Sequence, residues 1–167
     1  EVLIWDITDP DNPVLLFSME GNEEYVSMAI STDGKTLALG RLDTTIALWD
    51  ITDPAAPAML NSWSGHSLPI ESLAFSADGN TLASSSDEPK SRIILWDISD
   101  RKAPRKTRTI NGHSLIVTSL IFSPKDDILI SGSFDNTIML WDVIDPKSKL
   151  ELGSNVLLGN DESLIGF

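Results

Sequence analysis

The chain has 167 residues, enough for one domain with a buried core, and its apolar runs, such as Val14 to Phe17, are far shorter than the roughly 20 residues that cross a membrane. It has no cysteine, which excludes disulfides and thiolate metal sites and fits a cytoplasmic location. Its 25 acidic and 12 basic residues give a net charge of −13, which disfavours nucleic-acid partners.

The pair Trp-Asp ends an apolar run at four places along the chain. These pairs are Trp5-Asp6, Trp49-Asp50, Trp96-Asp97 and Trp141-Asp142, at intervals of 44, 47 and 45 residues. Short runs rich in Ile, Val and Leu and bounded by turn residues are typical of β-strands. A β-rich unit of about 45 residues therefore repeats along the chain.

Within each unit the other signals follow a fixed order. Gly-His, at Gly65-His66 and Gly112-His113, precedes a first strand, and a turn such as Asp78-Gly79 leads to a second strand. A second turn leads to the strand that ends in Trp-Asp, and a linker with proline at Pro13, Pro57 or Pro104 leads to a fourth strand. Each unit is thus predicted to hold four antiparallel strands, which we label a to d.

This order of motifs resembles the WD-repeat (WD40) family over essentially the whole chain, and the linkers are similar to those of bacterial arrays. The resemblance implies an all-β fold, a fragment of a WD40-type β-propeller whose blades surround a central channel. We expect three complete four-stranded antiparallel blades and a partial blade at each end. The predicted segments are 1–20 (strands c and d), 21–64, 65–111, 112–158 and 159–167 (the start of a further blade).

The resemblance also implies a hydrogen-bonded tetrad in each blade, formed by Trp on strand c, Ser or Thr on strand b, His before strand a and Asp in the b–c turn. Segment 112–158 matches fully, with His113, Ser131 or Ser133, Asp135 and Trp141. Segment 65–111 offers His66, Ser84 or Ser86, Trp96 and either Asp87 or Glu88 in a longer turn. Segment 21–64 keeps only Asp43 and Trp49, with Asn22, Leu39 and Arg41 in the other places, so we expect packing alone to hold it.

No constellation of residues predicts chemistry, so we expect no catalytic, cofactor-binding or metal-binding residues and no enzyme. Both histidines occupy the structural Gly-His positions. A propeller hydrolase with a site at the channel mouth is an alternative hypothesis, but it needs His, Asp and Glu clustered on the inner strands, and Glu71 is the only acidic residue in a strand-a run.

The family resemblance places partner binding on the face that carries the d–a and b–c loops. Apolar or aromatic residues occur there at Tyr25, Leu42, Leu68, Leu115 and Phe134. They are candidate anchors for protein or peptide partners, although inward packing that caps the blades is an equally open interpretation.

Five of the basic residues fall within eight positions: Arg101, Lys102, Arg105, Lys106 and Arg108. They lie on a linker and an outermost strand, where charge discourages pairing between sheets, and we favour this interpretation. The alternative is a docking site for an acidic or phosphorylated partner.

Together these patterns predict a non-catalytic protein-interaction scaffold that is part of a larger propeller, with the sensor or regulatory region of a multidomain signalling protein as one setting. A purely architectural array that self-associates through open blade edges is the remaining alternative.

Overall fold

The computed structural model describes residues 1–19, 24–88, 92–124 and 128–143. These ranges form thirteen β-strands and no helix. The strands are β1 (Val2–Asp6), β2 (Val14–Met19), β3 (Tyr25–Ile30), β4 (Thr36–Arg41), β5 (Thr45–Asp50), β6 (Ala58–Ser64), β7 (Ile70–Phe75), β8 (Thr81–Ser86), β9 (Ile93–Asp97), β10 (Arg105–Ile110), β11 (Val117–Phe122), β12 (Ile128–Ser133) and β13 (Ile138–Asp142). In the described ranges, then, no helix is available to span a membrane.

The strands form four antiparallel sheets whose spatial order follows the chain. We call them the first blade (β1–β2), the second blade (β3–β6), the third blade (β7–β10) and the fourth blade (β11–β13). The predicted all-β fold with four-stranded antiparallel blades is confirmed. The last strand predicted for segment 112–158 and the whole of segment 159–167 lie outside the described residues.

The apolar core lies between the blades. Each of its three clusters combines residues from two neighbouring blades. Val2 and Met19 pack with Leu37 and Leu39 between the first and second blades. Between the second and third blades lie Ala38, Ile46, Leu48, Ile70, Leu73, Phe75, Leu82, Ile94, Trp96 and Ile98, and between the third and fourth lie Ala74, Ala83, Ile93, Leu95, Ile110, Val117, Leu120, Phe122 and Leu129. Stacking therefore covers the apolar faces that a single blade cannot bury.

The innermost strands of neighbouring blades are also joined by hydrogen bonds. Ser27 Oγ on β3 donates to the Ile70 carbonyl at 2.8 Å, and the Leu120 amide on β11 donates to Ser72 Oγ on β7 at 3.1 Å. In the second, third and fourth blades strand a therefore lies against strand a of its neighbour, and strand d forms the outer rim of the first three blades. This arrangement brings the d–a and b–c loops of successive blades to the same end of the molecule.

Candidate interaction face and the polar tetrads beneath it

The fourth blade contains a closed network of hydrogen bonds beneath its loops. Trp141 Nε1 on β13 donates to Ser131 Oγ on β12 at 2.8 Å, and Ser131 Oγ lies 2.7 Å from His113 Nε2. His113 Nδ1 is 2.9 Å from Asp135 Oδ2, which also accepts from the Ser114 amide at 2.9 Å. Because the serine hydroxyl accepts from the indole, its own hydrogen is available to Nε2, which places the histidine proton on Nδ1, facing the carboxylate.

The third blade has a related network with a different acid. His66 Nε2 and Trp96 Nε1 both lie 2.8 Å from Ser84 Oγ, but His66 Nδ1 contacts Ser86 Oγ, also at 2.8 Å. Glu88 stands 3.7 Å from that nitrogen and accepts from the amide and the hydroxyl of Ser67. The structure thus brings Glu88 to the network, while Asp87 is exposed.

The Gly-His motif has a steric reason in both blades. A Cβ on Gly65 would overlap the Trp96 ring, and one on Gly112 would overlap the Trp141 ring. Glycine is therefore needed where the strand-c indole passes beneath the d–a loop.

The second blade lacks this network. Asp43 is exposed. Among the hydrogen bonds of the described residues, its carboxylate accepts only from Thr45, whose amide lies at 3.0 Å and whose hydroxyl lies at 2.6 Å. Leu39 occupies the register position of Ser84 and Ser131 and is fully buried. Trp49 Nε1 is buried without a hydrogen-bond partner in the described part of the chain. Asn22, the residue at the histidine position, lies outside the described residues.

Burial and hydrogen bonding shift pKa values within the networks, and the shifts are largest for Asp135 and His66. Burial opposes ionisation of Asp135, but hydrogen bonds from Thr137, Ser114 and His113 outweigh it and lower its pKa to about 2. Burial lowers the pKa of His66 to about 4, against the opposing attraction of Glu88. His66 is therefore neutral at pH 7, and both of its ring nitrogens are hydrogen-bonded to serine hydroxyls, as expected for a structural residue.

Four of the five candidate anchors lie at the surface of the loop end. Phe134 is 64% exposed, Leu115 52%, Leu42 46% and Leu68 37%. The Phe134 amide donates to the Ile116 carbonyl at 3.0 Å, so the b–c loop is tied to the d–a loop of the same blade. The Leu42 amide makes the equivalent bond to the Glu24 carbonyl at 2.8 Å. We call these four residues the loop-face anchors.

Tyr25 differs from the other candidates. It is half-buried, packs against the cluster between the first and second blades, and lies with the Arg41 guanidinium carbon 5.5 Å from its ring centroid. Inward packing therefore describes Tyr25, and we leave it out of the loop-face anchors.

Several residues that complete the networks were not predicted from the sequence. Ser67 and Ser114 bind the acid through their amides, and the Thr137 hydroxyl donates to Asp135 at 2.5 Å. Recurring residue pairs in the sequence could have indicated them. Serine follows both histidines, and threonine stands two positions after Asp43 and after Asp135. In the described ranges, no group of three or more His, Asp and Glu side chains is placed to hold a metal ion.

A sequence profile described as "WD domain, G-beta repeat" matches residues 13–50, 58–97 and 104–142. These three matches cover more than half of the chain. The chain belongs to the WD40 family. Each match begins near strand d of one blade and ends at the Trp-Asp pair of the next, so the repeat in sequence is offset from the blade in space.

Solved WD40 structures share the fold at low sequence identity. A chain in the crystal structure of the mitotic checkpoint complex aligns with a TM-score of 0.65 and 23% identity, over 81% of this chain and 39% of that one. The structure of U3-55K gives 0.65 and 24%, over 75% and 38%, and the RRP9 WD40 repeats give 0.64 and 24%, over 75% and 37%. The chain therefore spans about two fifths of each of these proteins. No curated protein matches it, and the similarity to bacterial arrays stays a prediction.

Proposed function

We propose that this chain is part of a non-catalytic scaffold that binds partner proteins on its loop face. Membership of the WD40 family supports this role, because propellers of this family are generally interaction scaffolds. We further propose that the parent protein is a cytoplasmic signalling protein in which this region serves sensing or regulation.

The observation that carries the proposal is the pair Phe134 and Leu115. Both side chains are more than half exposed, yet their backbones are fixed. The Leu115 carbonyl accepts from Ser133 Oγ at 2.9 Å, and Phe134 is followed directly by Asp135 of the buried network. An exposed apolar side chain on a rigid loop makes a strong anchor, because little conformational entropy is lost when a partner covers it.

The charge around the anchors defines the partner further. Glu24, Asp43 and Asp87 are exposed at the same end of the second and third blades. A partner segment that combines apolar side chains with Lys or Arg would complement this face, whereas a phosphate backbone would be repelled. Protein or peptide partners are therefore favoured over nucleic acid.

The hydrolase hypothesis has less support. His66 and His113 are only 6% and 4% exposed and are bound within the tetrads, so neither is available to act with the exposed Glu71. The architectural hypothesis rests on the exposed apolar residues of the outermost blade faces, Trp5 at 46% and Ile138 at 58%. Self-association through those faces would be a second property of the scaffold.

Binding of cellular proteins to the immobilised chain tests the proposal. Phe134→Asp and Leu115→Asp should each reduce recovery of the bound proteins about tenfold or more, because a charge cannot be buried at an apolar contact. Ile30→Asp is the matched control, since Ile30 is 58% exposed and ends β3 at the opposite end of the blade.

All three variants should unfold at the temperature of the wild type, and light scattering should show unchanged self-association. The proposal fails if Ile30→Asp loses the same proteins, or if both loop variants retain them.

A further inference from the structure

Among the described residues, three equivalent strands on the outer rim differ in charge. In the first three blades β2, β6 and β10 are edge strands, each paired on one side only within the described residues. Neither β2, with the sequence VLLFSM, nor β6, with AMLNSWS, contains a charged residue. By contrast, β10 has the sequence RKTRTI and lies next to a linker with two further cations.

Two of the five basic side chains form hydrogen bonds to backbone carbonyls within the fold. The Arg101 guanidinium donates to the Ile98 carbonyl, and Arg108 Nη1 donates to the Asp142 carbonyl of the fourth blade at 3.1 Å. These two side chains hold the linker and join neighbouring blades. Their role is structural.

The other three cations, Lys102, Arg105 and Lys106, remain at the surface. All are exposed, and none forms an ion pair within 4 Å with any residue that the structure describes. Asp97, opposite Arg105 in the strand register, has its carboxylate bound by the Ser99 amide and hydroxyl. The segment itself is held in place, because the Lys102 carbonyl accepts from Asn61 Nδ2 of β6 at 2.6 Å. We call these three residues the basic rim.

Edge protection does not account for the basic rim. Charged residues on an edge strand discourage pairing with another sheet, and such protection is needed most where the edge is apolar. Yet the apolar edges, with Val14 57% exposed on β2 and Met59 55% exposed on β6, carry no charge. All three edges also contain a register shift, so irregularity of the strand does not distinguish them.

We propose that the free edge of β10 binds an extended acidic segment of a partner protein, which adds to the third blade as a fifth strand. Its backbone would pair with the unpaired side of β10, and its carboxylates would pair with the basic rim. This surface is separate from the loop face and its anchors.

The register of β10 specifies the chemistry of the segment. Arg105 lies opposite Asp97 and Lys106 opposite Trp96, so the two cations project toward opposite faces of the sheet. A strand that satisfies both needs acidic residues at two successive positions. Because the chain carries a net charge of −13, attraction of such a segment depends on the local rim and not on the overall charge.

Fluorescence anisotropy with a labelled peptide of three Val-Glu-Glu repeats tests the proposal on the full chain at low salt. The wild type should bind it, and Lys106→Glu should weaken binding about tenfold or more, because it replaces attraction by repulsion. Lys35→Glu is the matched control, since Lys35 is an exposed lysine in the β3–β4 turn, and it should change binding less than about twofold.

A second peptide, N-methylated at every amide, separates strand addition from simple charge attraction. It keeps every carboxylate but has no backbone N–H to donate from either edge, so it should bind about tenfold more weakly or worse. Equal binding of the two peptides, no binding by the wild type, or equal effects of Lys35→Glu and Lys106→Glu would each overturn the proposal. Tighter binding of an oligonucleotide or of anionic vesicles through the same cations would do so as well. Phe134→Asp should leave peptide binding intact, so failure here is distinguishable from failure of the loop-face proposal.

Discussion

The second and fourth blades share strand order and register but satisfy their strand-c tryptophan in different ways. In the fourth blade Trp141 Nε1 donates to Ser131, which is bound to His113, and His113 faces Asp135. In the second blade Leu39 replaces the serine, and within the described residues Trp49 Nε1 has no partner. The indole ring packs against an apolar cluster in both blades, but among the described residues the indole N–H forms a hydrogen bond only in the fourth.

The difference shows which part of the repeat builds the blade. Leu39 and Trp49 both contribute to the apolar cluster between the first and second blades, so the second blade forms by packing without the polar network. The tetrad therefore adds to a sheet that packing already specifies. Its further effect is local, because Asp135 and Glu88 bind the amides of Ser114 and Ser67 and so fix the d–a loops.

Replacing each tryptophan by phenylalanine should separate these contributions most strongly. Trp96→Phe should lower the free energy of unfolding by about 2–4 kcal/mol, because it opens space beneath Gly65, removes the edge-on contact with Trp63 and leaves Ser84 without its donor. Trp49→Phe should lower the free energy of unfolding by less than Trp96→Phe does, with a difference of at least about 1 kcal/mol, because Trp49→Phe also removes a buried N–H that lacks a partner. Urea denaturation followed by circular dichroism measures both.

If the two substitutions cost the same, the tetrad contributes nothing beyond packing. Trp5→Phe serves as a control, because Trp5 is 46% exposed and its replacement should change stability by less than about 0.5 kcal/mol.

Acidification should lower the stability of the third blade more than that of the second. Burial lowers the pKa of His66 from 6.5 to about 4, so between these pH values the unfolded chain binds a proton that the folded chain does not. Stability contributed by neutral His66 is therefore complete above pH 6.5 and falls as pH decreases toward 4, by about 2–3 kcal/mol in all. Chemical denaturation at a series of pH values measures the decline.

His66→Asn is the matched control for this titration, because asparagine can still bond to Ser84 but does not ionise in this range. Its stability should be lower at pH 7 but should change less between pH 6.5 and 4. Parallel curves for the variant and the wild type would show that another group causes the decline. Asp135, with its pKa lowered to about 2, belongs to a separate window: its contribution is present above about pH 4 and is lost as pH falls toward 2.

The strands were predictable because the signals that define them are local. The Trp-Asp period, the turns and the proline linkers recur in the sequence, and each marks a strand end that the structure also has. The choice between Ser84 and Ser86 was not local, because both lie on one face of β8. It depends on Trp96 Nε1, which reaches Ser84 from the neighbouring strand.

The spacing of residues also could not predict which acid completes the third-blade network or which basic side chains form hydrogen bonds within the fold. Glu88 accepts from the amide and the hydroxyl of Ser67 while the neighbouring Asp87 is exposed, and only the folded structure distinguishes these two acids. Likewise the five clustered cations look alike in sequence, yet Arg101 and Arg108 turn to backbone carbonyls while Lys102, Arg105 and Lys106 stay exposed.

The smallest expected effect concerns the b–c turns, where the two blades carry different residues at the position after the conserved aspartate. Thr44 in the second blade and Asn136 in the fourth both have positive φ, at 78° and 64°. Asparagine tolerates this conformation, whereas a β-branched residue is strained there. Thr44→Asn should therefore raise the free energy of unfolding by about 1 kcal/mol, and Asn136→Thr should lower it by a similar amount. Both are measured by urea denaturation, with Thr52→Asn in the exposed linker as the control that should have little effect. Because Thr44 Oγ1 also lies 3.3 Å from Ser64 Oγ, a loss of stability in Thr44→Asn would mean that this side-chain contact outweighs the backbone strain.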